Sequence, residues 1–374
     1  MAAAKKHLTE KTITPKDKEV SKKLRDMGKE IAEEIKKGES PYVKLPIRSL
    51  SNIKFNEKDE QLQLGTAVSK RSFMNVAHSR KFMQTMLVAS WVCRELVEEG
   101  ITTSLRDMYY ALKRTIPGTK ENTVEEQGES DPVVVDIETM LDILREELHL
   151  NADVRGRVVG NVVIKDRGDT VDWSKLGSGG WSIPSNVENV EIKSVDADYI
   201  LLIEKNAAFE RLHEDKFWKE NNCVLMTSQG QAARGIRRLA SRLSEDHKLP
   251  LYIFTDGDAY GWYIYSVIKW GSMNLAHVSD RLGTPNAKFL GLTMTDIEKY
   301  ELENYTIKAT DVDIKRAKEL KDYVWFQAPE WQKEIDKMIK SERKAELEAL
   351  SSKGLRFITE TYLPEKIGKK DFLP

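Results

Sequence analysis

The sequence predicts an α/β multidomain chain, and three observations carry that prediction. Apolar residues recur at helical spacing through residues 80–148, short β-branched runs alternate with turn residues over 155–172, and beyond residue 190 short apolar strands alternate with amphipathic helices. The first two patterns suggest a three-helix segment followed by a hairpin. The third is a βαβαβα series, which implies a mostly parallel sheet covered on both faces.

Taken in order, residues 1–68 are Lys/Glu-rich, with one helix expected over 17–37 and an extended stretch at Ser40-Pro-Tyr-Val-Lys-Leu-Pro46. This region reads as an arm or docking extension. From 80 to 99 the positions Phe82, Met83, Met86, Leu87, Ala89, Val92, Cys93, Leu96 and Val97 form an apolar helical stripe that Gly100 stops. Ser104 followed by Asp107 resembles a capping box and opens a second helix to about residue 115. A third helix is expected over 133–148, and the runs 155–165 and 169–172 form the hairpin. Three helices and a hairpin in this order suggest a winged helix-turn-helix over 69–172. Residues 173–190, rich in Gly and Ser, read as a linker. Within 191–374 the expected strands are 199–203, 223–226, 249–254 and 288–292. The expected helices are 206–219, 232–246 and 259–270, with long charged helices over 311–350.

Composition excludes several classes. The chain has 374 residues, with 59 Lys plus Arg against 60 Asp plus Glu and a mean hydropathy of -0.51. That balance suits neither a uniformly basic nucleic-acid coat nor an acidic disordered tail. No window approaches the roughly 18 apolar residues of a membrane span, and no apolar core follows the N-terminal lysines, so neither a membrane helix nor a secretory signal is expected. Cys93 and Cys223 are too far apart in sequence for a zinc motif and suit a reducing cytosol. Local charge is uneven nonetheless. No acidic residue lies between Glu60 and Glu95, where Lys70, Arg71, Arg80, Lys81 and Arg94 stand, so a neutral chain can carry a basic, phosphate-binding face.

Three groups of residues could carry chemistry. Glu204 follows the first strand of the parallel series, and Asp256 and Asp258 follow the third. Sites in open parallel sheets assemble at this edge, and three carboxylates there suit Mg²⁺. The alternative is a turn that only caps the next helix. On the helix opened by Ser104, the residues Leu105, Met108, Tyr109 and Leu112 form the buried stripe, while Arg106, Tyr110, Lys113 and Arg114 share another face. Tyr110 is then a phenol among cations, which favour its ionised, nucleophilic form and could hold a phosphate beside it; otherwise it is a solvated surface tyrosine. The stretch Thr227-Ser-Gln-Gly-Gln-Ala-Ala-Arg-Gly-Ile-Arg-Arg238 could bind phosphate through Arg234, Arg237 and Arg238, or those arginines are merely solvated. It lacks the Gly-Lys-Ser/Thr of a P-loop, so ATP binding is not expected in this chain.

Taken together, Arg106-Asp-Met-Tyr-Tyr110, Ile203-Glu-Lys-Asn-Ala-Ala-Phe-Glu-Arg211 and Phe254-Thr-Asp-Gly-Asp-Ala-Tyr-Gly261 resemble the motifs of the A subunits of archaeal type IIB topoisomerases, whose relatives include the meiotic double-strand-break transesterase. The resemblance spans about residues 70–370. It implies a winged-helix (CAP-like) domain followed by a Toprim domain with helical C-terminal additions. Tyr110 would be the nucleophile assisted by Arg106, and Glu204, Asp256 and Asp258 would be the Mg²⁺ ligands. Lys70, Arg71, Arg80, Lys81, Lys113, Arg114 and Arg237 are the residues expected to contact DNA.

The implied reaction is a transient double-strand break held as a 5′-phosphotyrosyl bond. The implied assembly is a homodimer within a heterotetramer, in which the tyrosine of one protomer works beside the metal site of the other. A separate ATPase B subunit binds the ATP and drives strand passage, and the expected location is cytoplasmic, at the nucleoid. One departure from the motif is Ser228-Gln-Gly230, where some Toprim relatives carry a lysine before the glycine. The competing readings are a transesterase that breaks without resealing, a Toprim nuclease in which water attacks, and a non-catalytic winged-helix DNA-binding protein.

Overall fold

The structure is a computed structural model and describes residues 13–374. The chain divides into two compact units, one built from residues up to Asn52 together with Leu64–Asp153, the other from Ile53–Gln63 and Val154–Pro374.

In the first unit, helix α1 (Pro15–Lys36) starts where Thr14 and Asp17 cap each other reciprocally and Pro15 occupies the first turn. Helix α2 (Val76–Trp91) runs on as a wider turn over Val92–Val97, and α3 (Leu105–Leu112) and α4 (Gln127–Leu141) follow. Val20 and Leu24 of α1 are buried in one core with Val88, Val92, Leu96, Met108, Leu112, Val133 and Ile137. Residues 13–52 and 64–68 of the expected arm are therefore integral to this unit, whereas Ile53–Gln63 belongs to the second. Its extended stretch forms an antiparallel ribbon, Tyr42–Pro46 against Val68–Ser72. Helix α4 begins at Gln127, ahead of the expected start at Val133, and carries Pro132 within its length.

In the second unit a six-stranded sheet has the spatial order Trp181–Ser182, Arg157–Val159, Cys223–Thr227, Tyr199–Ile203, Leu251–Phe254, Lys288–Gly291. The last four strands are mutually parallel, and the first two add on antiparallel. Every residue of Tyr199–Ile203 and Cys223–Thr227 is buried, as expected of strands covered on both faces. Helices α5 (Asn206–Glu214), α6 (Phe217–Glu220), α7 (Arg234–His247) and α8 (Ala259–Lys269) connect them. The single helix expected over 206–219 is broken by a left-handed Lys216, with φ of 55°.

Two expectations change here. The hairpin Val162–Asp166 with Asp169–Asp172 pairs with Glu191–Val195 in a three-stranded sheet of the second unit, so the domain expected over 69–172 is divided between the two units. Residues 173–190 are not a linker: Trp173, Ile183, Val187 and Val190 are buried in the second unit's core, and Trp173 stacks on Trp181 at 5.3 Å. Burying that apolar surface outweighs the turn propensity of the intervening glycines.

Candidate active site

Helix α3 carries the first candidate. The Ser104 hydroxyl accepts from the Asp107 amide at 3.0 Å and donates to the Asp107 carboxylate at 2.8 Å, so the cap is closed by side chains. Met108 and Leu112 face the core, and the neighbouring tyrosines diverge. Tyr109 is half-buried, and its hydroxyl donates to the Glu125 carbonyl at 2.9 Å while accepting from Lys113 Nζ at 3.1 Å. Tyr110 is 62% exposed, with its ring 4.9 Å from that of Tyr109. Arg106, one turn earlier, and Arg114 are exposed as well. Lys113 leans toward Tyr109 and the Glu125 carbonyl, 2.9 Å away, a contact that its spacing from Tyr110 did not foretell.

The acidic candidate forms at the carboxyl ends of adjacent parallel strands. Glu204 leaves Tyr199–Ile203, its amide donating to the Phe254 carbonyl at 3.0 Å and its carbonyl accepting from Gly230 at 3.0 Å. The Asp256 amide donates to Glu204 Oε2 at 3.2 Å, and Asp256 Oδ1 accepts from the Leu347 amide at 2.8 Å. Asp258 caps α8 by accepting from the Gly261 amide at 2.7 Å. A methyl on Gly261 would come 2.3 Å from the Asp256 carbonyl oxygen, so only glycine lets α8 start this close to the acidic turn.

Burial, with Asp256 and Asp258 nearby, pushes the Glu204 carboxyl up to about 7. Burial likewise pushes Asp256 to about 6 against the opposing pull of Leu347 and Lys205, and raises Asp258. The Lys205 ammonium lies 3.2 Å from Asp256 Oδ2. Among the described residues no three His, Cys, Asp or Glu side chains converge as a ligating group; Asp256 is engaged by Leu347 and Lys205, and Asp258 by its helix. By donor chemistry the carboxylates suit a hard divalent cation. Their raised proton affinities come first from burial, and a bound cation would offset the cost of holding these carboxylates charged there.

The expected DNA contacts separate into groups. Lys70 is exposed, with its ammonium 4.4 Å from the centre of the Tyr42 ring. Arg71 is held by Asp136 at 2.8 Å and Thr85 at 3.1 Å, and Arg48 shares Asp136 at 2.7 Å. Arg80 pairs with Glu129 at 3.2 Å, and Lys81 donates to the Glu129 carbonyl at 2.7 Å. Arg237 is only 2% exposed, so it is removed from the proposed DNA surface. Burial, with Arg234 beside it, lowers its guanidinium to about 9. Sequence reasoning passed over Lys205 although it adjoins Glu204, and also Glu346 and Glu348, which meet it from far along the chain.

Family models match three stretches. Residues 80–150 match "Type IIB DNA topoisomerase", residues 155–196 match "All-beta domain in DNA topoisomerase VI alpha subunit", and residues 199–367 match the Toprim domain of the topoisomerase 6 A-subunit/Spo11 family. The middle match coincides with the segment that left the three helices for the second unit. Proteins named as the A subunit of type 2 DNA topoisomerase 6 are similar along nearly their whole length. The one from Pyrococcus horikoshii is 48% identical over 95% of each chain. That of Hyperthermus butylicus is 46% identical, covering 94% of this chain and 95% of the relative, and that of Methanocaldococcus jannaschii is 36% identical, covering 95% and 96%. Similarity of that extent, over stretches of sequence that include both candidate sites, places this chain in the family of type 2 DNA topoisomerase 6 A subunits.

Proposed function

We propose that Tyr110 is the nucleophile with which this chain cuts DNA, and that Glu204, Asp256 and Asp258 hold the divalent cation of the reaction. By family the chain is the DNA-cleaving component of a type IIB topoisomerase. The observation that carries the residue-level reading is the divergence of two adjacent tyrosines: Tyr109 is committed to Glu125 and Lys113, whereas Tyr110 presents its phenol to solvent.

In the proposed reaction the Tyr110 oxygen attacks a backbone phosphorus of duplex DNA. The bond from phosphorus to the 3′ oxygen breaks, the phenolic proton departs, and the 3′ oxygen takes up a proton. A 5′-phosphotyrosyl bond remains, and its reversal by the 3′ hydroxyl reseals the strand without spending ATP, because the ester is exchanged rather than hydrolysed. Arg106, one helical turn from Tyr110, neutralises charge on the phosphate or assists loss of the phenolic proton. When bound, Mg²⁺ supplies neutralisation of the phosphate and polarisation of the 3′ oxygen. Lys70 and Arg114, both exposed, contact backbone phosphates. We further propose that the chain acts as a homodimer, one cut per strand, in a heterotetramer. The ATPase B subunit binds the nucleotide that drives strand passage, and residues 1–68 contribute to docking it.

The test is a denaturing gel for covalent protein–DNA adducts, run with Mg²⁺, ATP and a co-expressed B subunit. Wild type and Tyr109→Phe should form the adduct and Tyr110→Phe should not. DNA cut without any adduct would replace this reading with a nuclease, and DNA bound but never cut would replace it with a binding module.

A further inference from the structure

Lys205 stands between the acidic turn and a distant segment of the same unit. Its ammonium is 3.2 Å from Asp256 Oδ2, 3.1 Å from Glu346 Oε2 and 3.0 Å from Glu348 Oε2. The backbone fixes this meeting: Gly257 and Ala345 exchange amide hydrogen bonds of 2.8 and 3.2 Å, and the Leu347 amide donates to Asp256. Glu346 and Glu348 are exposed, whereas Asp256 is buried. The nearby Lys344 is engaged elsewhere, with Asp313 at 2.9 Å.

We propose that Lys205 is the resident counter-ion of the cation-free site, that its ammonium must leave Asp256 before a divalent cation binds there, and that Glu346 and Glu348 receive it. The proposal rests on the reading of Glu204, Asp256 and Asp258 as the cation site. An ammonium at hydrogen-bonding distance from an Asp256 oxygen competes for the electron pairs a cation needs and repels that cation at short range. Without alternative partners the displaced ammonium would remain partly buried and unpaired. Two exposed carboxylates already in contact remove that obstacle, since a change of side-chain rotamer transfers the charge without solvating it alone. The arrangement neutralises part of the acidic turn and, by competing with a cation for Asp256, sets the cation concentration at which the site fills.

The experiment is calorimetric titration of the full chain with Mn²⁺ alone, without DNA or nucleotide, on variants whose folding is checked by circular dichroism. Lys205→Met should bind Mn²⁺ about tenfold more tightly than wild type. The double variant Glu346→Gln with Glu348→Gln should bind about tenfold more weakly, because the lysine is then confined to Asp256. In the Lys205→Met background the same two glutamine substitutions should change little, which separates an effect routed through Lys205 from a general loss of negative charge. If Lys205→Met does not fold, Lys205→Gln takes its place in each of these comparisons.

Lys205→Met binding equal to or weaker than wild type, or a double variant equal to wild type, overturns the proposal. If Asp256→Asn abolishes wild-type binding while the Lys205 and glutamate variants leave it unchanged, the cation reading stands and the counter-ion role falls. If wild type binds no Mn²⁺ at all, both fall.

Discussion

Helix α3 and the acidic strand ends hold their candidate reactive groups by opposite means. Tyr110 is exposed, and any assistance must come from cations that share its helical face and from whatever it binds. Glu204 and Asp256 are withdrawn from water, and their surroundings alone raise them to about 7 and about 6 from ordinary values of 4.5 and 3.8. A surface nucleophile costs the fold little, because solvent screens it. A buried acidic cluster carries its electrostatic cost in the folded state until a cation or proton arrives. On the proposed roles, function therefore opposes stability in the second unit rather than on α3.

Substituting the tyrosines puts this contrast under the greatest strain. Tyr110→Phe should abolish adduct formation and leave the stability within about 0.5 kcal/mol of wild type, as for an ordinary surface substitution. Tyr109→Phe should keep the adduct and lose about 1 kcal/mol with its hydrogen bond to Glu125. A Tyr110→Phe protein that unfolds would contradict the surface role.

The acidic site should show the reverse. Glu204 has a folded-state proton affinity above its unfolded one, so the folded state holds the extra proton between pH 4.5 and about 7. Cation-free stability should therefore fall as pH rises through that window and stay lower above it. Glu204→Gln should consequently stabilise the cation-free protein at about pH 8 by roughly 2 kcal/mol while losing cleavage, and the gain should vanish at about pH 4. Denaturant unfolding at the two pH values checks both signs.

Lys269 offers a control away from the acidic turn. It is buried, donates to the Ala287 carbonyl at 3.0 Å, and is lowered to about 8 by burial and by Lys288. Its folded form binds fewer protons than the unfolded chain between about 8 and 10.5, so stability should rise with pH across that interval. Lys269→Met should flatten the rise, adding on the order of 1–2 kcal/mol at about pH 7 and leaving cleavage unchanged.

The smallest effect is expected at the exposed basic residues. Lys70→Ala should leave stability unchanged and reduce the salt slope of DNA binding by about one. Arg71→Ala, which unpairs Asp136 from one of its two arginines, should instead lower stability. Binding isotherms over a salt series and melting curves distinguish the neighbours.

Much of this was legible from short-range pattern. The run Tyr199–Ile203 is wholly apolar and wholly buried, and the Asp-Gly-Asp turn falls where a strand end and helix cap were expected. The divergence of Tyr109 and Tyr110 follows from helical periodicity. What escaped depended on partners distant in sequence. Arg237 adjoins the apolar stripe of Ile236, Leu239 and Ala240, and periodicity alone does not say how wide a face the neighbouring layer covers. The hairpin Val162–Asp166 with Asp169–Asp172 was recognisable as a hairpin, but the strand it pairs with, Glu191–Val195, follows a stretch that reads as linker. Lys205 is visible beside Glu204, whereas Glu346 and Glu348 reach it only through the bridge between Gly257 and Ala345.

The excursion of Ile53–Gln63 into the second unit constrains how the protein is made. Phe55 meets Trp325 with ring centroids 5.9 Å apart, and the Leu62 amide donates to the Trp270 carbonyl at 2.8 Å. This segment leaves the ribosome long before either tryptophan, so the second unit cannot close around it until most of the chain has been synthesised. An expression fragment begun at residue 154 would omit it altogether, and the natural boundary for dissecting the molecule is discontinuous.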